Sequence, residues 1–232
     1  MKYVIALVLG IVAGAVVFGL ALIYNPLAGA GRVSPLSVTD AEIISLSYSV
    51  VPSESIVYTN NGESTQAPHP PKVPQLWEAP VRQTGGMVAV MHNARGEPAG
   101  FGVKLSSRSE SSRLLSGAAV VDSVWYVYLV DHGGLFLGQT ENYWEFLRQV
   151  AFPAWRNSAN TWRGTWAGIV TSGPGALGTA YAYGTSGRLR GLEMEAAESL
   201  SVGAFSSDTG FISAEGRLTI ALPEATDELP TD

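Results

Sequence analysis

Residues 192–204 read Leu-Glu-Met-Glu-Ala-Ala-Glu-Ser-Leu-Ser-Val-Gly-Ala, and residues 212–222 read Ile-Ser-Ala-Glu-Gly-Arg-Leu-Thr-Ile-Ala-Leu. Leu192, Met194, Ala196, Leu200, Val202 and Ala204 take even positions in the first run; Ile212, Ala214, Leu218, Ile220 and Leu222 do so in the second. Successive side chains of a strand point to opposite faces, so each run predicts a strand with one apolar face. The Glu, Met and Ala content of 189–200 favours helix locally. The period of two carries through to Ala204, with Glu193 and Glu195 on the opposite side, and decides for strand.

Moving toward the N-terminus, Trp162, Gly164, Trp166, Gly168 and Val170 share a face, and Leu177, Thr179, Tyr181 and Tyr183 lie opposite Gly178, Ala180, Ala182 and Gly184. Four adjacent strands joined by turns make a meander, and its glycines let it curl into a barrel or pack as a sandwich. Shorter β runs are expected at 87–92, 101–105, 118–130 and 135–137, with turns at 93–96 and 131–134. Ile44, Leu46, Tyr48 and Val50 alternate with serines across 41–51, and 55–59 returns as a second strand. Residues 142–151 differ, because Tyr143, Phe146, Leu147 and Val150 fall at helical spacing, Asn142 and Glu145 read as a capping box, and Pro153 follows. The expected fold is therefore mainly β: an antiparallel meander or barrel-like domain with one short helix.

Ahead of it, Tyr3 to Tyr24 carries no charge, and at 1.5 Å per residue a helix of that length spans a hydrocarbon core of about 30 Å. Lys2 precedes it, and Arg32 is the only positive residue from Asn25 to Pro71, which places the N-terminus in the cytoplasm and the rest outside. Ala28-Gly29-Ala30 matches a signal-peptidase pattern, but the apolar run exceeds the usual 7 to 15 residues of a signal peptide, which favours a retained single-pass anchor. The chain then divides into an anchor at 1–26, a tether at 27–40, a β-rich exported domain at 41–222 with a proline-rich loop at 60–80, and an acidic tail at 223–232. The expected location is the inner membrane, with the domain periplasmic or extracellular.

The run from Tyr183 to Gly191, Tyr-Gly-Thr-Ser-Gly-Arg-Leu-Arg-Gly, follows a Gly-Thr-Trp strand at 164–166. It resembles the glycine-arginine turn of bacterial secreted barrels related to allene oxide cyclase and dirigent proteins, over 162–222. The resemblance implies a small up-and-down barrel able to enclose an apolar ligand. It implies no catalysis, because no catalytic residue of those families matches a position here.

Among the chain's 232 residues there is no cysteine, which excludes a disulfide framework, a thiolate metal site and a cysteine nucleophile. A net charge of −6 argues against nucleic-acid binding by phosphate neutralisation. His69, His92 and His132 form no motif, and no metalloprotease, nucleophile-elbow or P-loop pattern occurs. Asp131-His132 in a glycine turn is the nearest approach to a general-base pair, while Glu141, Glu145, Glu193, Glu195 and Glu198 are the acids available to a carboxylate pair. No catalytic residue, metal site or cofactor is assigned.

Charge is unevenly spread. Arg148, Arg156, Arg163, Arg188 and Arg190 fall between Phe146 and Leu192 without an acid, whereas nine acids and only Arg217 follow from Glu193 onward. Trp155 and Trp162 adjoin two of these arginines, a combination suited to anionic headgroups or a protein interface. In the anchor, Ala6, Gly10 and Gly14 form a small-residue stripe that admits a second helix. The candidate contact residues are Gly10, Gly14, Arg148, Arg156, Arg163, Trp155 and Trp162, and the expected partners are membrane lipid and another membrane protein. The function expected is that of a binding, accessory or assembly module of a membrane-associated complex. Its alternatives are a barrel that carries or senses a small apolar ligand between Tyr126, Tyr128, Tyr181 and Tyr183, or an enzyme of unrecognised type.

Overall fold

The computed structural model describes residues 2–24, 42–51, 56–58 and 84–223. The expected tether, the proline-rich loop and the acidic tail from 224 onward lie outside them. Helix α1 (Lys2–Tyr24) is followed by β1 (Ile43–Ser49), β2 (Ile56–Tyr58), β3 (Gly85–His92), β4 (Pro98–Arg108), β5 (Val120–Leu129) and β6 (Gly133–Asn142). Helix α2 (residues 144–156) leads to β7 (Thr161–Ile169), β8 (Thr171–Gly173), β9 (Ala180–Gly184), β10 (Glu193–Ser206) and β11 (Gly210–Ala221).

The strands close into an antiparallel barrel of eight positions. The ring runs β1, β11, β10, β9, β6, β5, β4 and β3, and returns to β1 through Ser47 opposite His92. One position is shared. β9 bridges β10 and β6 through Ala180 to Gly184, while farther along the barrel β7 pairs with Ser199 to Ser206 of β10 and β8 with Thr140 and Glu141 of β6. The second strand forms, but its partner is β3 (Val57 opposite Gly86) rather than β1.

The alternating residues point as read except Ile212, which is exposed because the β10–β11 register shifts near Ala204 and puts Phe211 on the core instead. Trp125, Val127 and Leu129 of β5, Leu135 and Leu137 of β6, and Leu218 and Ile220 of β11 are all buried inside the ring. Bulky interior rings need matching gaps. A Cβ at Gly216 would overlap the Tyr48 ring, and one at Gly102 would overlap Met91 and Trp125, so glycine at these two positions makes the space that the aromatics fill.

Helix α2 corrects the expected boundary, because it continues through Pro153 to Arg156. Its middle turn, Leu147–Ala151, is π-helical, and Pro153 falls in the first turn of the last α-helical segment, Phe152–Arg156, where a missing N–H is tolerated. The expected capping box is also replaced. Asn142 Oδ1 accepts from the Trp144 N–H at 3.0 Å and the Ala119 N–H at 3.1 Å, while Glu145 pairs forward with Arg148 at 2.9 Å. Phe146 meets Trp166, Phe205 and Phe211 at ring separations of 5.5, 5.2 and 5.3 Å, which docks α2 on β7, β10 and β11.

The two ends of the barrel differ. By register, Ile43 at the start of β1 shares an end with the 93–97 and 130–132 turns, and α2 lies at the other, where β6 stops.

Candidate functional site

Three strands each turn one charged side chain into the barrel. Lys104 of β4, Glu141 of β6 and Glu198 of β10 are all buried. Lys104 Nζ lies 2.5 Å from Glu141 Oε1 and 2.7 and 3.0 Å from the two oxygens of Glu198, and sits 5.3 Å from the centre of the Trp125 ring. Further donors surround both carboxylates. Glu198 also accepts from Trp125 Nε1 at 3.0 Å, from the Tyr48 hydroxyl and from Gln139 Nε2; Glu141 accepts from Ser123 Oγ, Gln139 Nε2 and the Tyr143 hydroxyl, each at 2.6 Å. Thr171 completes the network, donating to Gln139 Oε1 at 2.8 Å and accepting from the Glu198 N–H at 2.7 Å.

Two carboxylates share one ammonium, and the balance of burial against the charges and donors around each moves their titrations in opposite directions. Burial pushes Glu198 up, yet Lys104 and the Tyr48 and Trp125 donors outweigh it and hold Glu198 below the usual carboxylate range. Glu141 moves the other way, raised by burial and by Glu198 against the opposing pull of Lys104. Burial pulls Lys104 down, but the two carboxylates prevail and raise it; Tyr48 and Tyr143 rise well above the usual phenol range, through burial first and the adjacent carboxylates second. The cluster is thus arranged so that Lys104 pairs most firmly with Glu198, while Glu141 holds a proton more readily than an ordinary carboxyl.

Sequence reasoning named Glu141 and Glu198 among the available acids but did not join them, and it missed Lys104. One signal was there. Glu198 occupies an even position in a strand whose even face is otherwise apolar, and a charge on such a face needs a buried partner.

The residues expected to touch a partner are not gathered in one place. Gly10 and Gly14 lie on α1 with open space where a side chain would be. Trp155, 66% exposed and stacked on Phe152 at 5.8 Å, and the exposed Arg156 end α2, while the exposed Arg163 and half-buried Trp162 lie on β7. Arg148 is half-buried and paired with Glu145. No carboxylate among the described residues lies within 4.0 Å of Arg156 or Arg163, and this group occupies the α2 end of the barrel, opposite the start of β1.

Tyr128, Tyr181 and Tyr183 stand outside, so they do not line the interior that the carrier alternative assigned them. They belong to an apolar outer flank. Register aligns Val88, Val103, Tyr126, Phe136 and Tyr183 in one row across β3, β4, β5, β6 and β9, with Leu105, Val124, Gly138 and Tyr181 in the next. Above Gly138 an open groove of about 480 Å³ is walled by Leu105, Val124, Pro174 and Tyr181. Asp131 and His132 form an exposed to half-buried turn apart from the cluster, and no group of three His, Asp or Glu among the described residues could hold a metal ion.

No family model matches the chain, and no curated protein matches it. Among solved structures the chain is similar to a nonspecific heme-binding cyclase that catalyzes a cycloaddition during neoabyssomicin biosynthesis, with a TM-score of 0.38 and 9% identity over 81% of this chain and 66% of that one. The chain therefore spans just under two thirds of that protein, and a likeness at this level assigns neither ligand nor reaction.

Proposed function

We propose that this chain is a binding module, an accessory or assembly subunit of a membrane-associated complex: α1 anchors it in the inner membrane, and the barrel on the outer side engages its partner through its surface. The observation that carries the reading is where the side chains unused by the core stand. Trp155, Arg156 and Arg163 project from the α2 end, and the spare aromatics project from the flank, while the inner face is occupied by packed residues and the satisfied charge cluster. An exposed tryptophan beside unpaired guanidinium groups is the composition of a recognition hot spot for an acidic surface. The partner favoured at that end is an acidic protein segment. Anionic headgroups of the anchoring membrane are the rival occupant of that end, and the vesicle arm of the test separates the two.

The test is purification of the full chain in mild detergent, with and without Trp155→Ala, Arg156→Gln and Arg163→Gln combined. A co-purified protein that the parent retains at low salt and the variant loses, with the difference shrinking as salt rises, supports the reading. Equal retention by both, or binding of both to anionic vesicles alone, overturns it.

A second reading, ligand binding or acid–base chemistry within the barrel, is favoured by the convergence of Lys104, Glu141 and Glu198. Native mass spectrometry of the detergent-purified chain separates the two. A small molecule retained by the parent and lost on Glu141→Gln would favour the interior.

A further inference from the structure

We infer that the apolar flank formed by β3, β4, β5, β6 and β9 is the seat of a second copy of this chain. The inference rests on the reading of the molecule as a surface-binding barrel and names the occupant of the surface that the α2 end leaves unused.

The flank is unusual for a wall facing water. Val88, Val90, Phe101, Leu105, Val124 and Phe136 are each between 44% and 53% exposed, and Tyr181 and Tyr183 extend the same surface at 54% and 52%. Phe101 lies 5.8 Å from Tyr128 and Tyr126 lies 5.0 Å from Phe136, so the rings already stack with one another along the wall. At about 150 to 250 Å² for a fully exposed aromatic and somewhat less for an aliphatic side chain, these half-exposed residues present on the order of 700 Å². A monomer's largest apolar patch is about 300 to 600 Å², whereas each side of a standard stable interface covers about 800 Å².

Charge selects the partner. A chain of net charge −6 repels its own copies unless they meet through an uncharged face. No ionisable side chain except tyrosine enters the rows from Val88 to Tyr183 and from Leu105 to Tyr181; Glu193 and Glu195 border them on β10, opposite Tyr183 and Tyr181, and Asp122 of β5 borders them in the row beyond Leu105 and Val124. Two copies can therefore meet on this flank with their acids at the rim, in water. The flank is also distinct from both barrel ends, so it leaves α2 free for another partner.

The chain has no cysteine, so single-cysteine variants report contacts without background. Val124→Cys and Phe136→Cys of the full chain in detergent, treated with a short bismaleimide, are expected to give covalent dimers, and Ser207→Cys at the β10–β11 turn is expected to give none. Phe136→Arg is expected to weaken dimerisation by about tenfold or more, read by sedimentation, with an unchanged circular dichroism spectrum showing that the barrel still folds. A monomeric parent overturns the inference. So does a dimer that Phe136→Arg leaves intact, which would assign association to α1, and so do flank cysteines that resist labelling in a monomer, which would assign the flank to residues 59–83. Absence of any acidic partner from the parent's preparation, with the dimer present, would strike the α2 reading alone.

Discussion

At the scale of single residues, the interior cluster is held by one carboxylate more than by the other. Glu198 takes donors from Lys104, Tyr48, Trp125 and Gln139, so Glu198→Gln places an amide N–H₂ among donors and strips Lys104 of its stronger counterion. Urea unfolding is expected to register a loss of about 3 to 5 kcal/mol, the cost of breaking a buried pair. Glu141→Gln is expected to cost about 1 kcal/mol, because Glu198 remains on Lys104 and the Tyr143 hydroxyl can accept as well as donate. Equal losses would mean that the two acids are interchangeable. The same shifts fix the pH dependence. Glu198, depressed in the folded state, contributes stability above its unfolded value of about 4 that is lost as pH falls through its folded value. Lys104, Tyr48 and Tyr143 are raised, so their contributions are present below about pH 10 and are lost as pH rises beyond it. Glu141, also raised, gives up stability as pH climbs from about 4 through its folded value, so Glu141→Gln should flatten the curve above about pH 4, as thermal midpoints across pH would record. Glycine supplies a separate residue-scale constraint. Gly216→Ala would drive a methyl into Tyr48, a donor of the same cluster, with an expected cost of about 1 to 3 kcal/mol in the same unfolding assay.

At the scale of elements, α2 joins two jobs that two substitutions should separate. Phe146 is buried against three aromatic rings, so Phe146→Ala is expected to cost about 3 to 5 kcal/mol in urea unfolding. Trp155→Ala, at a site that is two-thirds exposed, should stay within about 0.5 kcal/mol of the parent in that assay while reducing capture of the α2-end partner. Sequence patterning made most elements legible because a half-buried strand writes its period of two into the chain, as β10 and β11 do. It misjudged α2, since a proline after a short helical pattern reads as a stop and the widened π turn that carries the chain past it leaves no trace in composition. The division of one barrel position among β7, β8 and β9 was equally hidden. It depends on how β9 and β7 divide the edge of β10 that β11 leaves free and on where β8 meets β6, and no local pattern encodes that pairing. The same holds for the cluster: Lys104 and Glu198 are 94 residues apart, and only closure of the ring brings them together.

For the whole molecule, the question is whether barrel and helix are one cooperative unit. The most apolar stretch of α1, Lys2–Ala21, has none of its residues buried, whereas the barrel closes on a core drawn from β1 through β11 that needs nothing from α1. A helix that buries no surface on the barrel adds nothing to the barrel's unfolding free energy, so residues 42–232 expressed without α1 should fold alone. Calorimetry is expected to place its unfolding within about 2 °C of the full chain's barrel transition, since about 1 kcal/mol corresponds to 2 to 4 °C in a domain of this size. Partitioning should separate the two forms, the full chain with the membrane fraction and the shorter one in solution. The shorter form keeps the apolar flank, so it should still dimerise, but at higher concentration, because copies confined to a membrane meet at a raised effective concentration. A drop of more than about 5 °C on removing α1 would mean that helix and barrel pack together, and an unchanged membrane fraction would mean that the barrel surface, not α1, holds the protein there.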